Sequence, residues 1–249
     1  VTLLFITGGI GFTVILDVFH KRSIRKLSLH SKVVLLMSLI LIIVGPLIIF
    51  ISEYRNPATI GNLPFGDKLW ASYFQGVVTR TAGFNTIDIG AMNLSSLVFM
   101  MALMFIGASS GSTGGGIKVT TFAIIIFAFW TVVTNRNDVN IFKRRISWEL
   151  VNKSLSIVVA AMFFIFLIFF LLTFTENADM SKILFETISA FATVGLSANF
   201  TPDLSPFGRI LITIMMFIGR LGPLTMAFAL LNTKKEAKVR YAEEKILIG

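Results

Sequence analysis

The chain has no cysteine, only two histidines and few charged side chains, and these scarcities limit its chemistry. Without cysteine it forms no disulfide, no thiolate nucleophile and no cysteine-based metal site. His20 and His30 are isolated, and no carboxylates stand at ligand spacing beside them, so we expect no transition-metal centre. Charged residues make up 14% of the chain and hydrophobic residues 55%, which one soluble core of this size could not bury. The composition indicates an integral membrane protein.

Two internal segments are free of charge over about the length of a membrane-spanning helix. Val33 to Ile51 and Leu155 to Phe174 each suffice to cross roughly 30 Å of hydrocarbon. Neither is followed by the small-residue cleavage pattern of a signal peptide. A third apolar stretch, Leu97 to Val133, is too long for one straight span and contains a polar, glycine-rich run. We predict that this run lies in or beside a pore, because irregular backbone at membrane depth requires cover by protein or water.

Charge is distributed asymmetrically along the chain. Lysine and arginine form three clusters, and the loops between them carry acids. By the positive-inside rule we expect the clusters to face the cytoplasm and the acidic loops to face outward. Placement at the ends of apolar spans also argues against nucleic-acid binding. The clusters are Lys21, Arg22, Arg25, Lys26 and Lys32; Arg136, Lys143, Arg144, Arg145 and Lys153; and Lys234, Lys235, Lys238, Arg240 and Lys245; the acids are Glu53, Asp67, Asp88, Glu176, Asp179 and Asp203.

A short pattern recurs at matched places in two successive units. Each copy follows a short apolar stretch, Lys68 to Val78 in one unit and Lys182 to Ala190 in the other. These stretches are too short to cross a bilayer, so we predict re-entrant half-helices whose negative C-terminal ends favour a cation. The turns that follow would present carbonyl oxygens to a dehydrated ion, with a glycine allowing the necessary backbone conformation. The predicted ion-binding residues are Thr81, Ala82, Gly83, Phe84, Thr193, Val194, Gly195 and Leu196.

The glycine-rich run and two cations, Lys118 and Arg220, complete the candidate site. Lys118 and Arg220 are costly to keep near membrane depth, which favours a functional role. We expect Arg220 to face the run, and Arg80 to form an ion pair with Asp88 or Glu186 that braces the first turn. The residues of the run that enter the candidate site are Gly107, Ser109, Ser110, Gly111, Ser112, Thr113, Gly114, Gly115 and Gly116.

These segments resemble the Trk/Ktr/HKT superfamily of potassium transporters and, within it, the membrane subunit of bacterial Ktr systems. The resemblance is carried by 70–75, 79–85, 104–108 and 216–220 and extends over essentially the whole chain. It implies an all-α integral membrane fold of tandem M1-pore helix-M2 repeats with broken M2 helices around one pore. It further implies potassium uptake across the plasma membrane, with an intramembrane loop as gate and an arginine assisting it. Implied partners are a second membrane subunit, surrounding lipid and a cytoplasmic RCK-type ring, which alone binds nucleotide; no covalent cofactor is expected.

The resemblance also implies a division of the chain. Residues 1–28 would end the M2 helix of a preceding repeat and add a cytoplasmic linker. Residues 29–139 would form the third repeat, with the intramembrane loop at 107–116, and 140–233 the fourth. Residues 234–249 would form a cytoplasmic tail. Because the first repeat and a half has no counterpart here, we expect a longer polypeptide of which this is the C-terminal half.

Two other functions remain open from the sequence. A membrane-embedded enzyme would need catalytic groups converging at one depth, yet Glu186 is the only carboxylate plainly inside a pore-side segment. A sodium-coupled secondary transporter would also use half-helix dipoles and glycine breaks, but its repeats are typically inverted, whereas these two units run in the same direction. The ratio of K⁺ to Na⁺ stays open, since Leu196 stands where potassium channels often have tyrosine.

Overall fold

The computed structural model describes residues 1–223 and 225, a predominantly helical chain with one two-stranded sheet in that part. The third basic cluster and the predicted tail at 234–249 lie outside the described residues. The described helices and strands, in chain order, are α1 (Thr2–Ile10), α2 (Phe12–Lys21), α3 (Leu29–Glu53), α4 (Phe65–Val78), α5 (Leu94–Phe105), α6 (Val119–Val133), β1 (Val139–Ile141), β2 (Arg144–Ile146), α7 (Trp148–Thr175), α8 (Met180–Phe191) and α9 (Pro206–Leu221).

Two helices, α3 and α7, are long and apolar enough to cross a membrane, and they contain the two charge-free segments predicted from the sequence. Each begins at a serine N-cap. The hydroxyl oxygens of Ser28 and Ser147 accept hydrogen bonds from backbone N–H groups three residues later, which satisfies donors that the first turn leaves free. The pair α1 and α2 would count as a third span if taken together, but the two helices are bent by 89°.

The short helices α4 and α8 occupy the positions predicted for the apolar stretches between the spans. α4 packs along α3, whereas α8 packs among α5, α7 and α9. The contact between α3 and α4 is a direct approach of two backbones, because a Cβ on Gly76 would overlap the backbone of Gly45 and Pro46. Two large hydrophobic clusters enclose α8: one joins it to α7 and α9, and the other joins it to α5.

The long apolar stretch from 97 to 133 is divided as the sequence predicts. α5 ends at Phe105 and α6 begins at Val119, so the segment between them is not helical and contains the whole glycine-rich run. From here on we call residues 107–116 the glycine loop.

Two features of the described chain were not predicted in detail from the sequence. The first is the sharp bend between α1 and α2 at Gly11, since the prediction for residues 1–28 gave the end of an M2 helix without locating a bend; Gly11 has a φ of 91°, outside the helical region. The second is the β1–β2 hairpin, which an all-α fold does not include. Phe142 and Lys143 form its two-residue turn with positive φ at both positions, as a type I′ hairpin turn requires. Strands of three residues inside a basic cluster give little periodic signal, which is why they were missed.

The α3–α4 crossing generates a stability prediction. Gly76→Ala forces a methyl group into backbone atoms of α3, and we expect a loss of about 1–3 kcal/mol from overpacking. The matched control is Gly66→Ala in the same helix, where a Cβ meets nothing within 4 Å, so this change is expected to be neutral or slightly stabilising. Thermal unfolding of the full-length protein in detergent measures both. Equal melting temperatures for the two variants would contradict the close crossing.

Candidate functional site

The two predicted ion-binding turns have the same unusual backbone. Thr81 and Thr193 have φ values of 67° and 52°, and Gly83 and Gly195 have φ values of 70° and 85°. A positive φ is uncommon for a residue other than glycine, so its appearance at a threonine in both turns is informative. The left-handed conformation thus falls on the first and third residue of each turn. The sequence indicated the glycines, but nothing in it indicated the threonine conformation.

The two turns lie against each other. A Cβ on Gly83 would stand 2.7 Å from the carbonyl oxygen of Val194, and one on Gly195 would stand 3.6 Å from the Cα of Gly83. The side chains of Val194 and Leu196 are only 3% exposed and belong to the hydrophobic cluster around α5. Their burial leaves the backbone of the second turn, rather than its side chains, on the surface that faces the first turn.

Each turn begins where a short helix ends. α4 ends at Val78 and α8 at Phe191, so the partial negative charge of two helix C-termini is directed towards the start of the turns. Beyond the turns, the amide nitrogen of Asn199 donates to Oδ1 of Asp88 at 2.7 Å and joins the two following segments. The ends of α4 and α8 and the contact between Asn199 and Asp88 therefore hold the two turns side by side, with the same backbone conformation in each.

The glycine loop is closed at its neck by backbone hydrogen bonds. Gly107 N–H donates to the carbonyl of Ile117 at 2.9 Å, and Ile117 N–H donates to that of Phe105 at 3.2 Å. Val119 N–H donates to Ala108 at 3.2 Å. These bonds replace the helical hydrogen bonds that are lost between α5 and α6. The backbone polar groups at the neck are therefore satisfied although the segment is not helical and lies within an apolar stretch.

The C-terminal end of the glycine loop contacts the first residue of both turns. Gly115 N–H donates to Oγ1 of Thr193 at 3.0 Å. A Cβ on Gly115 would lie 2.5 Å from that oxygen, and a Cβ on Gly114 would lie 2.9 Å from Oγ1 of Thr81. Glycine is needed at both positions because the loop backbone rests directly on the two threonine side chains.

The bend at Gly11 also holds the glycine loop. Ser109 N–H donates to the carbonyl of Gly9 at 2.9 Å, and Phe12 N–H donates to that of Gly111 at 3.4 Å. A Cβ on Gly11 would stand 2.9 Å from the carbonyl oxygen of Ser110. The bend therefore exposes backbone groups of the first helix pair to the loop, a contact that the sequence did not predict.

Two cations reach the glycine loop. Lys118 Nζ donates to the carbonyl of Gly114 at 2.6 Å, and a guanidinium nitrogen of Arg220 donates to the carbonyl of Thr113. Arg220 thus faces the loop as expected, and within the described residues its hydrogen bond is to this carbonyl. Within residues 1–223, neither cation forms a salt bridge with a carboxylate. Their charge is directed at adjacent carbonyl dipoles of the loop.

The expected ion pair of Arg80 is wrong. Arg80 is 7% exposed and donates from Nη2 to Oγ of Ser38 at 3.3 Å. Asp88 instead accepts from Asn199, and Glu186 accepts from the hydroxyl of Thr201 at 2.5 Å. Asp88 follows α4 and Glu186 lies within α8, whereas Arg80 points back towards α3. Among the residues that the structure describes, no three His, Asp or Glu side chains are grouped to hold a metal ion.

Apolar spans, short helices that end at paired turns and a polar loop between apolar helices are therefore the features to compare with known proteins. The chain belongs to the TrkH family of cation transport proteins, whose profile matches residues 1–238. The superfamily resemblance drawn from the sequence is confirmed.

Similar proteins include the Ktr system potassium uptake protein B of Bacillus subtilis, 46% identical over 249 residues, which cover 100% of this chain and 56% of that protein. The protein of the same name from Vibrio alginolyticus is 43% identical over 99% of this chain and 54% of its own length. The potassium/sodium uptake protein NtpJ of Enterococcus hirae is 36% identical over 100% of this chain and 56% of its own length. The crystal structure of the potassium transporter TrkH from Vibrio parahaemolyticus superposes with a TM-score of 0.77 at 18% identity, over 92% of this chain and 50% of that one. The chain spans about half the length of the curated relatives it matches.

The contact between loop and turns generates a labelling prediction. Gly115→Ala brings a methyl group against Thr193 and should displace the glycine loop, so that a cysteine introduced at Ser112 reacts several-fold faster with a polar maleimide. These 249 residues contain no cysteine, so the introduced thiol is the only one among them. Gly8→Ala is the control, because its nearest new contact is an ordinary 3.7 Å. Equal labelling rates in both backgrounds would show that the loop does not depend on this close approach.

Proposed function

We propose that the chain forms part of a potassium-uptake pore in which backbone carbonyl oxygens of 81–84 and 193–196 bind dehydrated cations. The observation that carries the proposal is the matched backbone of the two turns, with left-handed residues at the same two positions after a helix C-terminus. Carbonyl oxygens can replace the hydration shell of K⁺. No proton transfer or covalent step is needed, which agrees with relatives that are named for ion uptake.

Electrostatics support a cation at the turns. Two helix C-termini each contribute about half a negative elementary charge, and both α4 and α8 end there. The buried side chains of Val194 and Leu196 leave backbone oxygens as the polar groups on the shared surface. The short helices are then re-entrant segments, which enter the membrane and return through the turns.

The proposed repeat division follows from these roles. α3, α4 and the α5–α6 pair form one M1-pore-M2 unit over 29–139, and α7, α8 and α9 begin a second that extends over 140–233. Residues 1–28 then end the broken M2 of a preceding unit. The basic clusters face the cytoplasm and the protein resides in the plasma membrane, on the charge asymmetry of the sequence.

In this proposal the glycine loop is the gate. It lies against Thr81 and Thr193 at the base of both turns, where it obstructs an ion leaving them. Lys118 and Arg220 hold it through two adjacent carbonyl groups. The loop has no side chain larger than threonine, so little side-chain packing holds it in place. When the hydrogen bonds from Lys118 and Arg220 break, the loop can move away from the turns as a unit.

Partners and ions follow from the relatives and stay within the proposal. Two relatives are named as component B of a Ktr potassium uptake system, which supports a separate regulatory subunit; a cytoplasmic nucleotide-binding ring and a dimer of membrane subunits are the forms we propose. One relative is named for both potassium and sodium uptake, so K⁺ is the principal ion and Na⁺ the competitor to compare.

Glycine replacement in the turns tests the ion path. At the φ of Gly83 or Gly195 an alanine costs roughly 1–2 kcal/mol of strain, and at Gly83 it also meets the carbonyl of Val194. We therefore expect Gly83→Ala and Gly195→Ala to reduce K⁺ preference over Na⁺ by about tenfold, as 1.4 kcal/mol would, or to abolish uptake. Fluxes of K⁺, Rb⁺ and Na⁺ into liposomes containing the full-length protein measure this, with Gly66→Ala as control. Unchanged affinity and preference in both variants would remove the turns from the pathway.

Replacement of Arg220 tests the gate. Arg220→Ala removes the hydrogen bond to the carbonyl of Thr113, so we expect higher basal flux and weaker dependence on the regulatory subunit. Arg220→Lys keeps the charge but loses the planar guanidinium, and an intermediate flux is expected. Assembly is checked by gel filtration of each purified variant. A correctly assembled Arg220→Ala protein with wild-type flux and regulation would assign the arginine a structural role only.

A further inference from the structure

A buried carboxylate stands at the end of each long helix. Glu53 is the last residue of α3 and is 0% exposed, and Glu176 directly follows α7 and is 9% exposed. Within residues 1–223, neither forms a salt bridge with lysine or arginine. An ionised carboxylate removed from water costs several kcal/mol unless hydrogen bonds or dipoles compensate it. Both residues therefore need a specific polar environment.

Glu53 accepts four hydrogen bonds, two at each oxygen. Oε1 accepts from the backbone N–H of Asn93 at 2.9 Å and from the hydroxyl of Ser96. Oε2 accepts from the side-chain amide of Asn56 and from the hydroxyl of Thr59, both at 2.7 Å. Asn93 is the N-cap residue of α5, so the carboxylate of one helix satisfies donors in the first turn of the next.

Glu176 makes the equivalent contact in the other unit. Its Oε2 accepts from the backbone N–H of Ser205 at 3.0 Å, and its Oε1 accepts from the hydroxyls of Ser205 at 2.5 Å and Thr175 at 3.1 Å. Ser205 is the N-cap residue of α9. Burial raises the pKa of Glu176, but the hydrogen bonds from Ser205 and Thr175 outweigh burial and leave the pKa below its ordinary value. The group is therefore ionised at neutral pH.

The two turns are 112 residues apart, from Thr81 to Thr193, whereas Glu53 and Glu176 are 123 residues apart. Eleven residues lie between α3 and α4, from Tyr54 to Pro64, whereas a much shorter segment joins α7 to α8. Aligning the two units on their turns therefore does not place Glu53 opposite Glu176. The contact recurs although the sequence spacing differs, which indicates that the geometry itself is required.

We propose that Glu53 and Glu176 are positioning residues for ion selection, each closing a frame around one of the two turns. By frame we mean the stretch of chain from the end of a long helix, through the short helix and the ion-binding turn, to the N-terminus of the next helix. The glutamate at the end of the long helix binds that N-terminus and so closes the frame. The inference rests on the proposed function of the turns. A filter discriminates between ions through the number and rigidity of its oxygens, so a frame that opens lowers discrimination before it abolishes flux.

The two sites predict different responses to the same substitution. At Glu53 each oxygen faces one donor that cannot reverse: the backbone N–H of Asn93 and the amide of Asn56, whose orientation is fixed because it also donates to Ala91 and accepts from Ala58. A glutamine at position 53 would therefore point its NH₂ group at the N–H of Asn93 in one orientation and at the NH₂ of Asn56 in the other, and in both cases two donors face each other. At Glu176 one oxygen faces only hydroxyls, which can turn to accept. Glu176→Gln should therefore be tolerated better than Glu53→Gln.

The experiment uses the full-length protein and three variants: Glu53→Gln, Glu176→Gln and, as an exposed control on α7, Glu149→Gln. Hydrogen exchange is measured at the amides of Asn93 and Ser205, together with the ratio of K⁺ to Na⁺ uptake in liposomes. For Glu53→Gln we expect faster exchange at Asn93 but not at Ser205, and a K⁺ preference lowered at least about fivefold, because a buried donor left unpaired loosens the frame around the first turn. The control Glu149→Gln should stay within about twofold of wild type in both readouts. Glu176→Gln should speed exchange at Ser205 and lower the K⁺ preference less than Glu53→Gln does at its own site, because the hydroxyls of Ser205 and Thr175 can turn to accept; an effect as large as that of Glu53→Gln would contradict this reading of the second contact.

The outcomes separate this inference from the proposed function. Glu53→Gln protein with wild-type exchange at Asn93 would overturn the frame, whatever the ion ratio. If the wild-type protein prefers K⁺ and Glu53→Gln speeds exchange at Asn93 but leaves the ratio of K⁺ to Na⁺ uptake unchanged, Glu53 contributes to stability only and the inference is overturned. If the wild-type protein itself shows no K⁺ preference, the proposed function fails and the inference fails with it. Should Glu53→Gln not assemble, Thr59→Val removes one hydroxyl donor and must change both readouts in the same direction.

Discussion

Irregular backbone at the centre of an apolar chain must have its polar groups satisfied, and the arrangement of this protein follows from that constraint. The glycine loop and the two turns cannot use helical hydrogen bonds. The loop instead obtains partners from the bend at Gly11, from the hydroxyl of Thr193 and from the side chains of Lys118 and Arg220. Three parts of the chain that are distant in sequence are therefore held together by one loop.

The same constraint explains why glycine occupies the points of contact. At Gly83, Gly114 and Gly115 a Cβ would meet a carbonyl or a threonine side chain at less than 3 Å. At Gly76 and Gly219 it would overlap the backbone of a neighbouring helix. Backbone thus lies directly on backbone at the centre of the molecule, and apolar side chains fill the clusters outside it. Such packing is rigid, which suits the proposed cation site, because selection between ions depends on small differences in oxygen position.

Much of this could be predicted from the sequence because its signals are local. Charge-free length predicted α3 and α7, excess length predicted the break between α5 and α6, and duplication identified the two turns. What could not be predicted depends on contacts between distant segments: the 89° bend at Gly11, the left-handed threonines and the true partner of Arg80. Glu53 and Glu176 were recognised only as acids of the outer loops, since their hydrogen-bond partners lie in a later helix.

The central claim is that the backbone of the paired turns binds the transported cation. It is tested most directly by a structure of the full-length protein with Rb⁺ or Tl⁺, whose anomalous scattering locates the ion without reference to flux. The account predicts a signal surrounded by carbonyl oxygens of 81–84 and 193–196, which weakens when Na⁺ replaces the heavier ion. A signal confined to the acidic outer loops, with none at the turns, would contradict it.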